Sequence, residues 1–195
     1  MLAAVLLAAG DGSSALKALL VLLPAGLARL VRPHPGFDLL FTVALGGEAI
    51  GTAVGAYDSI AWGDALSHFV LPLLSGPILY VALVRLGAVP QPDAAPTDRF
   101  LVGAAVITAI AVMCLGALWE LVEWAADSTV GTHYSQGYED TLVDLSVDAI
   151  AAVGAGALVA IWLRAKGGRS ASSLAMIPLE GAERTDRRLQ QEGDR

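Results

Sequence analysis

The chain has 195 residues, of which 55% are hydrophobic and only 16% charged, with a formal net charge of −7. Soluble domains carry roughly 25% charged residues. This composition, with a mean hydropathy of +0.63, excludes an ordinary soluble domain and indicates an integral membrane protein. There is no basic patch, so we expect no nucleic-acid partner. The single cysteine, Cys114, excludes an intrachain disulfide and a cysteine metal cluster.

Apolar segments long enough to cross a bilayer recur along the chain. About 20 apolar residues in a helix span the roughly 30 Å hydrocarbon core, and a helix satisfies its own backbone hydrogen bonds in lipid. We therefore predict an all-α integral membrane protein, a bundle of about five transmembrane helices. The predicted spans are 14–31, 37–57, 63–86, 99–124 and 142–164.

The two ends of the chain differ from this membrane domain, which we place at residues 1–164. The first ten residues are apolar but too short to span, and we interpret them as a truncated or interfacial segment. Residues 165–195 are polar and mixed in charge with little periodicity, so we predict a disordered cytoplasmic tail.

Basic residues flank the predicted spans on one side only, apart from Lys17 near the outer start of span one. They are Arg29, Arg32, Arg85, Arg99, Arg164, Lys166 and Arg169. The positive-inside rule makes this side cytoplasmic, and the C-terminus with it.

Carboxylates gather toward the opposite, outer side. Residues one or two helical turns apart share one face of each span. The candidate residues are Asp64 and His68 on span three, Glu120, Glu123 and Asp127 on span four, Asp140, Asp144 and Asp148 at span five, and Glu48 within span two.

We expect acids on several spans to avoid lipid, since a charge at the bilayer centre costs about 2.5–3.5 kcal/mol on insertion scales. We expect them to surround a shared, water-accessible cavity. No Lys or Arg lies at the same depth in spans two to five. The acids therefore need protons, a metal or a cationic ligand.

These residues admit different roles. Carboxylates with one imidazole suit a divalent metal, with candidate ligands Asp64, His68, Glu120, Glu123, Asp144 and Asp148. Glu120 and Asp144 are the candidate catalytic residues, as ligand or general base. Glu48, Asp127 and Asp140 are further candidates. Asp64 alternatively caps its helix.

Three functions remain open. A divalent metal on the outer face could serve hydrolysis or transfer on a lipid-linked phosphate. The acids could instead bind a cation or relay protons in a transporter or proton-coupled carrier. Alternatively, the protein binds a lipid headgroup or another cationic ligand without catalysis. Membrane lipids are the expected partners, and an enzymatic role stays open.

Four motifs resemble those of one protein family. They are G-E at Gly47 and Glu48, D-x-x-x-H-F at Asp64 to Phe69, W-E-L-x-E-W at Trp119 to Trp124, and Q-G-x-x-D-T-x-x-D at Gln136 to Asp144. In this order they resemble YjdF-type bacterial membrane proteins, within the wider VanZ-like group, over about residues 20–160. The resemblance implies a multi-pass protein of the bacterial inner membrane and no particular activity.

Overall fold

A computed structural model describes residues 12–54, 62–93, 95–135 and 137–166. These residues form five α-helices: α1 Gly12–Val31, α2 Pro35–Ala53, α3 Gly63–Arg85, α4 Asp98–Val130 and α5 Tyr138–Lys166. The prediction of an all-helical protein is confirmed for them. The interfacial segment predicted at the N-terminus and the disordered tail predicted from residue 165 lie outside the described residues, apart from 165 and 166, which continue α5.

Successive helices run antiparallel, which brings one end of each helix to the same end of the bundle. The Arg85 guanidinium donates to the Arg32 carbonyl at 3.2 Å, joining the ends of α3 and α1. The Phe37 and Trp162 rings meet edge to face with centroids 5.6 Å apart, joining α2 to α5. We call this the basic end, because those Arg and Lys residues predicted to be cytoplasmic that the structure describes lie at these helix ends.

Three helices within the described residues are long and apolar enough to cross a membrane: α3, α4 and α5. Each corresponds to a predicted span. The other two predicted spans are also helical, as α1 and α2, but do not meet the same criterion, so their crossing of the membrane stays a prediction.

Two helices extend beyond their predicted spans. Helix α4 continues to Val130 rather than stopping at 124, and α5 begins at Tyr138 rather than 142. The polar residues of α4 beyond the lipid do not end the helix. Gly131 ends it by adopting the left-handed conformation at φ 74°. At the other end of α4, the Thr97 hydroxyl accepts from the Phe100 N–H at 3.3 Å.

Small residues allow α5 to pack closely against α3 and α4. A Cβ added at Gly76 would lie 2.6 Å from the Ala155 Cβ, and one added at Gly156 would overlap the Ala105 carbonyl oxygen. Both contacts show that α5 packs closely against its neighbours. On α2, by contrast, a Cβ added at Gly46 or Gly47 would meet nothing within 4 Å among the described residues.

Large apolar side chains cover much of the outer surface of the bundle. Leu40 and Val43 on α2, Val106 and Ile110 on α4, and Val153 on α5 are all more than half exposed. Such extensive exposed apolar surface is not stable in water. It matches the hydrocarbon of a bilayer instead.

Candidate functional site

The end of the bundle opposite the basic end holds the candidate acidic residues of α3, α4 and α5. Helix α3 begins there at Gly63, which places Asp64 in its first turn and His68 one turn deeper. His68 is only 7% exposed. Because the two residues are four apart, both side chains lie on the same face of the helix.

Helix α5 presents a second pair at the same spacing. Asp144 and Asp148 are both buried, at 3% and 0% exposure. One ligand atom each from Asp64, His68 and Asp144 lie within 4.8 Å of one another. The structure therefore brings together three predicted metal ligands from two helices.

His68 lies between two further carboxylates. Its Nδ1 is 3.3 Å from Asp148 Oδ1, and its Nε2 is 3.8 Å from Glu120 Oε1 on α4. Each ring nitrogen thus faces an acid. In metal sites, a ligating histidine commonly donates its second N–H to a carboxylate. Asp148 or Glu120 is positioned to accept such a hydrogen bond from His68.

Two buried carboxylate oxygens at this site have no hydrogen-bond partner among the described residues: Glu120 Oε1 and Asp148 Oδ2. A buried polar atom without a partner is costly, and such atoms in a native protein indicate strain, a functional role, or a bound ion or water. Here Glu120 Oε1 lies 3.8 Å from His68 Nε2, whereas Asp148 faces the imidazole through its other oxygen, Oδ1.

Two further candidates, Glu48 on α2 and Glu123 on α4, border a cavity next to this cluster. Glu48 accepts a hydrogen bond from Ser67 of α3, and Glu123 is 4% exposed. The cavity has a volume of about 260 Å³, and Asp64, His68 and Asp148 also line it. Among its described lining residues there is no Lys or Arg. The site is therefore strongly acidic.

Two candidate acids lie outside the cluster of potential ligands. Asp127 accepts from the Thr132 hydroxyl at 2.6 Å and from the backbone N–H groups of Tyr134 and Ser135 at 2.9 and 3.1 Å. These bonds hold the loop after α4. Asp140, in the first turn of α5, is half-buried and is not among the three grouped ligands. His133 is exposed in the same loop, as expected for a loop histidine.

A family model described as "Predicted membrane protein (DUF2238)" matches residues 5–165. The chain belongs to this family. DUF2238 is the family of the YjdF-type proteins, so that part of the resemblance is confirmed. No match is found among curated proteins or among solved structures. The family assignment establishes a membrane protein and no activity, so the function of this DUF2238 protein has to be inferred from its site.

Sequence reasoning missed three residues at this site. Ser67 occupies an unspecified position of the D-x-x-x-H-F motif, yet it contacts Glu48 across helices. Trp119, which opens the W-E-L-x-E-W motif, lines the cavity. Gly116 leaves the space that the Asp148 carboxylate fills, since a Cβ there would lie 2.8 Å from Asp148 Cγ. Its only sequence signal is a glycine one helical turn before Glu120.

Proposed function

We propose that this protein binds a divalent metal ion at the acidic end of its helical bundle, with Asp64, His68 and Asp144 as ligands. The observation that carries the proposal is their grouping within 4.8 Å, from two helices, inside the protein. Two ligands that are each about 2.1 Å from one ion are at most about 4.2 Å apart. Small side-chain rotations therefore suffice to close the site around an ion.

The surroundings of His68 support the same proposal. Either ring nitrogen can bind the metal while the other keeps a carboxylate, Asp148 or Glu120, as its partner. The unpartnered oxygens of these two acids are further potential ligands. A set of one imidazole with several carboxylates suits Zn²⁺, Mn²⁺ or Fe²⁺ better than Mg²⁺ or Ca²⁺, which favour oxygen ligands alone.

A metal held there would be positioned for chemistry near the outer surface. His68 lies roughly 26 Å along α3 from Arg85, and Asp144 roughly 33 Å along α5 from Lys166, at 1.5 Å per residue. A hydrocarbon core about 30 Å thick places both near the outer interface. The metal would polarise a bound oxygen and activate water, with Glu120 as the general base and Asp144 as a ligand.

The wider setting follows from the same geometry. All five helices cross the membrane, since α1 and α2 help to enclose the cavity between them and α3. The basic end is cytoplasmic, together with the C-terminus, and the acidic end opens outward. This is the arrangement of a protein of the bacterial inner membrane, and a place within the VanZ-like group is part of the proposal.

A second candidate uses the same residues without a metal. If His68 is protonated, its contacts with Asp148 and Glu120 are two ion pairs, and the imidazolium offsets part of the negative charge. The site would then carry protons or a cationic ligand, as in a proton-coupled carrier or a headgroup-binding protein. Metal content distinguishes the two candidates.

The test is elemental analysis of the protein purified in mild detergent without chelator. We expect near-stoichiometric metal in the wild type and its loss in His68→Ala and Asp144→Asn. Two matched controls should keep the metal: His133→Ala, an exposed histidine, and Asp127→Asn, whose carboxylate holds a loop. Absence of metal from folded wild-type protein, even after incubation with Zn²⁺ or Mn²⁺, would leave the protonated-histidine candidate.

A further inference from the structure

The cavity beside the acidic cluster has a polarity that changes along its length. On α2 its lining runs from Phe41 and Leu45 to Glu48 toward the acidic end. On α4 it runs from Leu115 to Glu123 in the same direction. Helix α3 follows the same order: Asp64, Ser67 and His68 lie nearer the acidic end, and Leu71 and Pro72 lie farther from it.

The deeper part of the cavity is a hydrocarbon-like chamber. Its walls are aliphatic and aromatic side chains from α1 to α4, namely Leu20, Pro24, Phe41, Leu45, Leu71, Pro72, Leu115, Leu118, Trp119 and Val122. A volume of about 260 Å³ is a little below the roughly 300–1,000 Å³ of pockets that hold drug-sized ligands. It is large enough for part of a hydrocarbon chain and too small for a whole two-chain lipid.

The polar part of the cavity sets the charge of what binds. Four of its lining side chains are carboxylates, and the described lining includes no Lys or Arg. One of them, Asp148, is fully buried, and its Oδ2 has no hydrogen-bond partner among the described residues. An anionic headgroup such as a phosphate would be repelled by these carboxylates, whereas an amine would be attracted.

From the cavity's shape, its polarity gradient and its charge, we propose that the cavity binds a membrane amphiphile with a cationic amine headgroup. One hydrocarbon chain enters between α1, α2, α3 and α4, and the amine lies among Glu48, Glu123 and Asp148. The proposal goes beyond the metal site, because the apolar chamber and the carboxylates of α2 and α4 line the cavity, whereas the proposed metal ligand Asp144 is not among its lining residues. It names a class of ligand for the same end of the protein.

Trp119 supplies a probe inside the cavity. We would reconstitute the protein in phosphatidylcholine nanodiscs and titrate it with an alkylamine that carries a nitroxide on its chain, following tryptophan fluorescence. The matched probes are the fatty acid and the alcohol with the same labelled chain. Partitioning into lipid quenches the exposed Trp62 and Trp124 for every probe, whereas occupation of the cavity adds a saturable component from Trp119.

We expect saturable quenching by the amine, with an affinity about tenfold above that for the alcohol, as for a charge-assisted hydrogen bond. Trp119→Phe should abolish the saturable component. Glu123→Gln should reduce the preference for the amine, and Leu71→Phe, which narrows the chamber without adding a tryptophan to it, should weaken all saturable binding. Thr129→Ala, at an exposed site on α4, is the control for substitution in that helix.

Two outcomes would overturn the proposal. One is equal or tighter saturable binding of the fatty acid, which would contradict the charge argument. The other is quenching without a saturable component in the wild type.

Each titration is run with metal-loaded and chelator-treated protein, and the metal content of the same samples is measured. Loss of amine binding with metal retained would reject this proposal alone, and absence of metal with amine binding retained would reject only the metal site.

Discussion

Each side chain of the site depends on neighbours from other helices. Asp148 is the clearest case, because it contacts His68 from α5 while occupying the space left by Gly116 on α4. A glycine is needed there because any Cβ would overlap the carboxylate. We therefore regard Gly116 as a positioning residue for Asp148, and through it for the His68 imidazole.

Gly116→Ala tests this positioning role. The added methyl group would displace the Asp148 carboxylate from His68, and loss of such a partner lowers metal affinity by about 10–100-fold. The dissociation constant for Mn²⁺ or Zn²⁺, measured by equilibrium competition with a chromophoric chelator, should rise by that amount. Gly103→Ala is the matched control in the same helix, since an added Cβ there meets nothing within 4 Å. An unchanged affinity in Gly116→Ala would show that Asp148 does not support the metal site.

The sequence predicts the members of the site better than their contacts. The spacing of Asp64 with His68, and of Asp144 with Asp148, places each pair on one helical face, and the structure brings both pairs together. Which acids meet across helices depends on the rotation and depth of each helix, and these are not encoded locally. For that reason the sequence does not reveal that Ser67, Gly116 and Trp119 contact or line the site across helices.

At the scale of the helices, α5 is the central element of the site. It packs most extensively against α4 and α3, and it does so through the small residues Ala151, Ala152, Ala155 and Gly156, all buried. Membrane helices associate through close van der Waals contact of this kind, since lipid supplies little hydrophobic driving force. The position of Asp144 and Asp148 against α3 and α4 follows from this packing.

Gly156→Ala should therefore disturb both packing and binding. The new Cβ would overlap the Ala105 carbonyl oxygen and push α5 away from α4, at a cost of about 1–3 kcal/mol for an overpacked contact. We expect a lower temperature of aggregation in detergent and weaker metal binding. Gly46→Ala, where an added Cβ has open space, should leave both unchanged or raise the aggregation temperature slightly. Equal behaviour of the two variants would contradict close packing of α5.

The positions of the helices were largely predictable, because long apolar runs in lipid must be helical. Their lengths were less so. The end of α4 depends on Gly131 rather than on hydropathy, so Asp127 continues the helix and directs its carboxylate to the following loop. A rule based on apolar residues stops too early at such a helix.

For the whole molecule, charge is divided between the two ends of the bundle. Arg32 and Arg85 meet at one end, where Arg164 of α5 also pairs with Asp98 at the start of α4. The buried acids and His68 occupy the other end. This asymmetry sets the proposed orientation, with the site facing outward.

Single-cysteine labelling in intact cells tests that orientation. In a Cys114→Ala background, His133→Cys should react with a membrane-impermeant maleimide added outside. His34→Cys, between α1 and α2, and Ala88→Cys, after α3, should react only after the membrane is permeabilised. Labelling of His34→Cys from outside would contradict membrane crossing by α1 and α2. The reverse labelling pattern at all three positions would show that the protein has the opposite orientation in the membrane.

X-ray absorption spectroscopy of the Zn²⁺-loaded protein can show whether His68 and carboxylates hold one metal ion. We predict nitrogen and oxygen ligands at about 2.0–2.2 Å, with the outer-shell scattering of one imidazole and no sulfur. The imidazole signal should disappear in His68→Ala and persist in His133→Ala. A spectrum without imidazole, or one unchanged by the loss of His68, would contradict the proposed site.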